Sequence, residues 1–164
     1  MGLFNKNKGD NSVVWRDSSG KIRCLGDSCP QECDDSCPIF LNTTAGMMLK
    51  IGASDKALPV FEEILAIAPD FYDAWNNIAA IYGGKGKYQK ANEYYMKAHE
   101  ISPDRPAPLY GLALTTKDLG RYEECLKWCD EYDKLARDHR LDDTRNIALA
   151  ALGRPTNPVN KPKF

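Results

Sequence analysis

The sequence predicts an all-α fold of repeated helical hairpins, preceded by a small cysteine-rich β-hairpin. Three windows of the chain align with one another at a constant spacing, residues 38–71, 72–105 and 106–139. Apolar residues recur at helical spacing within each window. Glycine and proline then divide each window, because glycine suits a tight helix end and proline stops a helix. Each window therefore predicts two antiparallel helices joined by a short turn.

The composition is that of an ordinary globular protein and indicates no highly charged partner. Of 164 residues, 43% are hydrophobic, and 22 basic residues balance 23 acidic ones. Such a balance gives no electrostatic footprint for nucleic acid or anionic lipid, so we expect neither as a partner. The first residues lack the apolar core of a secretory signal, and no apolar run approaches the roughly 20 residues of a membrane helix. These features predict a cytoplasmic protein whose residues 1–12 form a flexible start.

The middle window shows the pattern most clearly. Its first apolar stripe consists of Trp75, Ile78, Ala79 and Tyr82. Gly83, Gly84 and Gly86 follow, where we expect the helix to break. The second stripe consists of Tyr88, Ala91, Tyr95, Ala98 and Ile101, and Pro103 follows it. Both stripes predict helices that bury one face.

These residues give the window a resemblance to the tetratricopeptide repeat, a 34-residue helical hairpin. The first window carries the matching residues Leu41, Ala45, Met48, Gly52, Ala57, Phe61 and Pro69. The third carries Leu109, Leu112, Ala113, Gly120, Tyr122 and, more loosely, Cys125 and Cys129. The resemblance implies a right-handed solenoid of about three hairpins that binds a protein or peptide. It also explains the small residues Ala45, Ala79 and Ala113, which allow the two helices of a hairpin to approach closely.

Two local patterns refine the ends of the repeat domain, which we place at residues 38–153. Ser54 is a predicted helix N-cap, and Pro59 lies early enough in the following helix to be tolerated. Residues 141–153 predict a capping helix that covers the apolar face of the last repeat. Its predicted apolar face consists of Leu141, Ile147, Ala148, Ala151 and Leu152. Residues 154–164 contain three prolines and predict an extended tail.

Residues 13–37 form a separate cysteine-rich segment. Two short β-type runs flank Gly20, which predicts a hairpin turn. Cys24, Cys29, Cys33 and Cys37 follow with spacings C-x4-C-x3-C-x3-C. Four thiolates complete the tetrahedral shell of a structural zinc, and a cytosolic chain favours metal over disulfides. An iron–sulfur cluster, two disulfides or free thiols are the alternatives.

No catalytic constellation is present in the sequence. His99 and His139 each lie near a predicted helix end without a partner at informative spacing. The glycine-rich run at residues 83–87 lacks the Ser or Thr that follows the lysine of a phosphate-binding loop. Cys125 and Cys129 stand four apart on a helix and are predicted to pack in the core, where buried cysteine behaves as a small hydrophobe. We therefore expect a protein that is not an enzyme.

The resemblance also implies where a ligand would lie, since the first helix of each hairpin lines the concave side of such a solenoid. The predicted peptide-binding positions are Asn42, Leu49, Lys50, Asn76, Asn77, Ala80, Tyr110, Leu114 and Lys117. The family's clamp for a C-terminal carboxylate is matched at Asn77. Ala107 and Gly111 stand where that clamp requires basic residues, so this mode is doubtful here.

Two functional hypotheses follow. In the first, the repeats bind a protein or peptide, and a metal bound by the four cysteines stabilises the first repeat as a cap. In the second, the four cysteines are themselves the functional centre, as a redox or metal-sensing element. The first is favoured because Cys37 is followed directly by Pro38, where the first repeat begins.

Overall fold

The computed structural model describes residues 13–16, 22–25, 37–136 and 138–156. It contains two strands, β1 (Val13–Arg16) and β2 (Ile22–Leu25), which pair antiparallel with Val14 opposite Cys24. The predicted turn at Gly20 and the cysteines Cys29 and Cys33 lie outside the described residues, as do residues 1–12 and 157–164. The cysteine-rich module as a whole therefore stays a prediction.

The rest of the described chain is helical, as the sequence predicts. The helices are α1 (Pro38–Lys50), α2 (Ser54–Ile67), α3 (Tyr72–Gly84), α4 (Tyr88–Ile101), α5 (Pro106–Asp118), α6 (Tyr122–Ala136) and α7 (Asp142–Ala151). Each of the three aligned windows holds two of the first six helices. None of the helices in the described part of the chain is long and apolar enough to cross a membrane.

The chain divides into two compact units, residues 1–74 and 75–164. In the first unit, α2 and β2 both lie against α1, and Ala45, Phe61 and Ile64 are fully buried. The prediction that Ser54 is the N-cap is wrong, because the N-cap of α2 is Ala53 and Ser54 is the first residue of the helix. Pro59 lies within α2 on an exposed side, as expected for a proline near a helix start.

The glycine-rich turn of the middle window lies later than predicted. Gly83 and Gly84 are still part of α3, whose last residue is Gly84. Gly86 adopts φ = 70°, a left-handed conformation that favours glycine, and the chain reverses there. The amide of Lys87 donates to the carbonyl of Tyr82 at 2.9 Å, which closes the helix end. One left-handed glycine is enough for this turn, so Gly83 and Gly84 need another explanation.

The second unit has a well-defined core between α5, α6 and α7. Its buried members are Leu109, Leu112, Ala113, Cys125, Cys129, Tyr132, Leu141 and Ala148. Cys125 and Cys129 are fully buried, so the prediction that they pack in the core is confirmed. Hydrogen bonding to Cys125 and burial raise the pKa of the Cys129 thiol, which keeps it neutral.

The helix α7 packs against α5 and α6, but only part of the predicted apolar face is buried. Leu141, Thr144 and Ala148 are buried, whereas Ile147 is 51% exposed and Ala151 is also exposed. The predicted face is therefore wrong at Ile147 and Ala151. The rotation of the helix places Arg145 against α6, where its guanidinium pairs with Asp130 and Asp133. The orientation of α7 therefore depends on the ion pairs of Arg145 and the burial of Thr144, which the apolar pattern alone does not predict.

Candidate functional site

A pocket of about 230 Å³ lies within the second unit, at the last turns of α3 and α5. Its lining residues are Ala80, Gly83, Gly84, Tyr88, Tyr95, Gly111, Leu114, Thr115 and Asp118. Residues near the ends of α3 and α5 thus line the pocket, and α4 contributes two tyrosines, one of which, Tyr88, is its first residue. Gly83 and Gly84 leave space beside the end of α3, which accounts for two glycines that the turn itself does not require.

Gly111 and Tyr95 form a tight contact next to the pocket. Gly111 is buried in the middle of α5, and a Cβ atom there would overlap the Cζ and Cε atoms of the Tyr95 ring. The ring therefore packs directly on the backbone of α5, which only glycine permits. Burial, with a smaller contribution from Tyr110, raises the pKa of Tyr95 to about 12. The phenol therefore stays neutral to a higher pH than an ordinary tyrosine.

A buried hydrogen bond joins Asn92 to Thr115, which lines the pocket. The side-chain amide of Asn92 on α4 donates to the hydroxyl of Thr115 on α5 at 3.3 Å. That hydroxyl donates in turn to the carbonyl of Gly111 at 2.9 Å. Both side chains are buried, where unpaired polar groups would be costly, so the pair specifies one arrangement of α4 and α5.

Asp118 gives the pocket its charge. It is the one acidic residue among the described residues that line the pocket. Its carboxylate lies 2.9 Å from the ammonium group of Lys117, and both side chains are partly exposed. Asp118 is also the last residue of α5, where the helix dipole disfavours a negative charge. A carboxylate at this position thus works against the stability of its own helix.

The predicted binding positions of the second unit separate into two groups. Ala80 and Leu114 line the pocket, and Lys117 pairs with Asp118 at its edge. Tyr110 lies elsewhere, with its ring 5.9 Å from that of Tyr132. Asn76 and Asn77 are half-buried on α3 outside the pocket lining. The buried Oδ1 of Asn76 has no hydrogen-bond donor within the described part of the chain.

The remaining predicted positions belong to the first unit. Asn42 and Leu49 are half-buried on α1, and Lys50 at the end of this helix is exposed. These residues stay predictions, since the first unit is described by itself. The structure also leaves no room for a basic side chain at position 111, because the ring of Tyr95 covers Gly111. One of the basic residues that a carboxylate clamp requires therefore does not fit here.

Several pocket residues were not predicted from the sequence: Gly83, Gly84, Tyr88, Tyr95, Gly111, Thr115 and Asp118. Tyr88 and Tyr95 belong to an apolar stripe, so periodicity assigned them to the core. Gly111 was the available signal, since glycine inside a helix is unfavourable by about 1 kcal/mol relative to alanine. Such a glycine indicates a close approach by another group.

The four-cysteine site is described only in part. Cys24 lies in β2, and Cys37 is the N-cap of α1, while Cys29 and Cys33 lie outside the described residues. Among the residues that the structure describes, no group of three or more His, Cys, Asp or Glu side chains could hold a metal ion. Zinc binding therefore stays a prediction.

Comparison with known proteins agrees with the repeat pattern. Residues 72–105 match the tetratricopeptide repeat family. Small glutamine-rich tetratricopeptide repeat-containing protein 2 of Mycosarcoma maydis is 25% identical over 70% of this chain and 32% of its own length. Superkiller complex protein 3 of Mus musculus is 28% identical over 56% of this chain and 6% of its own length. The chain thus spans a third or less of these two relatives.

The fold is also that of solved tetratricopeptide repeat structures. YrrB, described as a TPR protein with an unusual peptide-binding site, superposes with a TM-score of 0.67 at 17% identity. The superposition covers 73% of this chain and 62% of that one. At this identity the likeness shows the fold and nothing about the ligand. The chain contains a tetratricopeptide repeat at residues 72–105 and has the helical architecture of such proteins.

Proposed function

We propose that this chain is a protein-interaction module that binds an extended protein or peptide segment at the last turns of α3 and α5. The observation that carries this proposal is the pocket between those helix ends, whose lining includes the predicted binding residues Ala80 and Leu114. Tetratricopeptide repeat proteins act in general as interaction modules, and the match of residues 72–105 to this repeat supports the proposal.

The physical character of the pocket supports binding over plain solvation. Binding sites combine apolar walls with a few fixed polar groups, and here Leu114 and two tyrosines stand beside one carboxylate. The hydrogen bond from Asn92 to Thr115 holds the walls in place before a ligand arrives. A preformed pocket avoids part of the ordering cost of association.

A peptide selection tests the proposal. The full chain is used to select from a library of random extended peptides, and the selected peptides are measured again with Leu114→Ala. We expect specific peptides to be enriched and their affinity to fall about tenfold with Leu114→Ala, which corresponds to about 1.4 kcal/mol. Lys134→Ala on α6 is the control, since Lys134 is exposed and is not among the residues that line the pocket. Failure to enrich any peptide, or equal loss in the control, would refute the proposed site.

The cysteine segment is proposed to be a metal-stabilised cap on the first repeat. Its support is that β2, which contains Cys24, lies against α1, and that Cys37 is the residue at which α1 begins. A structural zinc would then connect the strand to the helix start. The redox or metal-sensing alternative is not favoured by any contact in the described part of the chain.

Elemental analysis and a thiol count distinguish these readings. The metal cap predicts about one zinc per chain, with all 6 cysteines titratable after chelation and denaturation. Iron with inorganic sulfide would support the redox alternative. A count of two free thiols without metal would mean two disulfides, and would overturn both the cap and the predicted cytoplasmic location.

A further inference from the structure

We infer that the pocket at the ends of α3 and α5 takes a cationic side chain of the bound segment, with arginine preferred to lysine. The inference rests on the proposed function, since it names the residue class that this site would recognise. The pocket is smaller than the roughly 300–1,000 Å³ of typical small-molecule sites, so its size suits a single side chain.

The electrostatics of the pocket favour a positive charge. Its lining includes residues near the carboxyl ends of α3 (Ala80, Gly83 and Gly84) and α5 (Leu114, Thr115 and Asp118), together with Gly111 and with Tyr88 and Tyr95 of α4. The negative ends of two helix dipoles therefore lie at the pocket, against the one positive end that α4 contributes at Tyr88. The Asp118 carboxylate adds a full negative charge, and the lining itself contributes no basic residue.

The walls suit the apolar stem and the flat head of arginine. Leu114 and Ala80 offer apolar surface to the methylene groups, as arginine and lysine stems require. Tyr88 and Tyr95 line the pocket, and a guanidinium group interacts favourably with the ring of a tyrosine. A planar guanidinium also binds a carboxylate through two hydrogen bonds, whereas an ammonium group acts as a point charge. These features give arginine its preference.

The Lys117 side chain acts as an internal competitor. Its ammonium group pairs with Asp118 at 2.9 Å, so a bound arginine must displace it or share the carboxylate. The pair is partly exposed and therefore weak. Removal of the lysine charge accordingly strengthens the binding of a cation, and removal of the aspartate charge weakens it. Substitutions at these two adjacent positions therefore change the affinity for a cation in opposite directions.

The test is an NMR titration of the full chain with three small probes. The probes are N-acetyl-argininamide, N-acetyl-lysinamide and N-acetyl-citrullinamide, the last being a neutral analogue of arginine with the same shape. We expect the arginine probe to shift the backbone amides of Gly83, Gly84 and residues 114–118. Its affinity is expected to exceed that of the citrulline probe by about tenfold, and to fall with added salt.

Two variants make the test decisive. Asp118→Asn is expected to abolish the preference for arginine over citrulline, and Lys117→Met to raise the arginine affinity several-fold. Asp118→Asn leaves a more favourable helix end, so loss of binding with retained helicity by circular dichroism is not a folding effect. Equal binding of arginine and citrulline, shifts confined to other surfaces, or no change in Asp118→Asn would each overturn the inference. If selected peptides still depend on Leu114 in that case, the proposed function stands and the residue class alone is wrong.

Discussion

The contact between α4 and α5 and the contact between α6 and α7 are built in opposite ways. In the first, Tyr95 packs on Gly111, and the adjacent space between the helix ends remains open. In the second, Leu141 and Ala148 are buried, and Arg145 joins α7 to Asp130 and Asp133 on α6. The difference is that the α4–α5 contact has open space beside it, whereas ion pairs add to the apolar contact between α6 and α7.

Both arrangements have a structural cost. A glycine inside α5 and an aspartate at its end each lower the stability of that helix. On α7, Ile147 is 51% exposed, so about half of its apolar side chain remains in contact with water. In exchange, Arg145 reaches two carboxylates, and a charged outer face keeps the last helix in contact with water.

The largest expected effect comes at alkaline pH, where both contacts weaken. Burial raises the pKa of Tyr95 to about 12, and burial with the hydrogen bond to Asp138 raises that of Tyr132 to about 12. Because both folded pKa values lie above the ordinary tyrosine value of about 10, the stabilisation is complete below pH 10 and is lost as the pH rises toward 12. We expect cooperative loss of helicity in that interval, measured by circular dichroism alongside tyrosinate absorbance.

Phenylalanine variants assign this alkaline transition to one contact or the other. Tyr95→Phe and Tyr132→Phe each remove one ionisable phenol, so each is expected to move the transition to higher pH. An unchanged transition in the double variant would show that neither tyrosine controls alkaline stability.

The next effect in size separates two helix glycines. Gly111→Ala places a methyl group against the Tyr95 ring, so we expect a net loss of about 1–2 kcal/mol in the free energy of unfolding. Gly46→Ala is the matched control, because Gly46 also lies inside a helix but has open space around it. Its expected result is a gain of about 0.5–1 kcal/mol from helix propensity. Urea denaturation measures both, and equal changes in the two variants would contradict the close contact.

The ion pairs of Arg145 should contribute less. Asp130 and Asp133 are 62% and 43% exposed, so screening limits the two pairs to about 1 kcal/mol in Arg145→Ala. The loss is expected to shrink as salt is added. Arg145→Met keeps an apolar stem, and any difference between the two variants in thermal unfolding measures packing instead of charge. A loss that is independent of salt would argue against the ion pairs.

The smallest effect is expected at the start of α6. Arg154 pairs with Glu123 through two hydrogen bonds of 2.7 and 3.1 Å, but both side chains are more than half exposed. Arg154→Ala is therefore expected to lower the free energy of unfolding by about 0.5 kcal/mol or less. A thermal shift as large as that of Arg145→Ala would show that Arg154, which follows α7, contributes more to stability than its exposure indicates.

The helices and much of the core were predictable from the sequence, and the pocket was not. The stripes that contain Ile78 and Ala98 recur at helical spacing, and both residues are buried in their helices. The positions of Ala80 and Leu114 also followed from the repeat. Tyr95, by contrast, has the same periodicity as a core residue, and only its contact with Gly111 places it beside open space.

The sequence by itself determined where helices form, because hydrophobic spacing and single glycines or prolines act through local backbone geometry. It also placed Cys125 and Cys129 in the core, since a helix face with small apolar residues must be covered. Tertiary structure decided how each helix is rotated and that a pocket remains open near the ends of α3 and α5. Those outcomes depend on groups distant in sequence, such as Arg145 with Asp133 and Asn92 with Thr115, whose pairing energies no local pattern encodes.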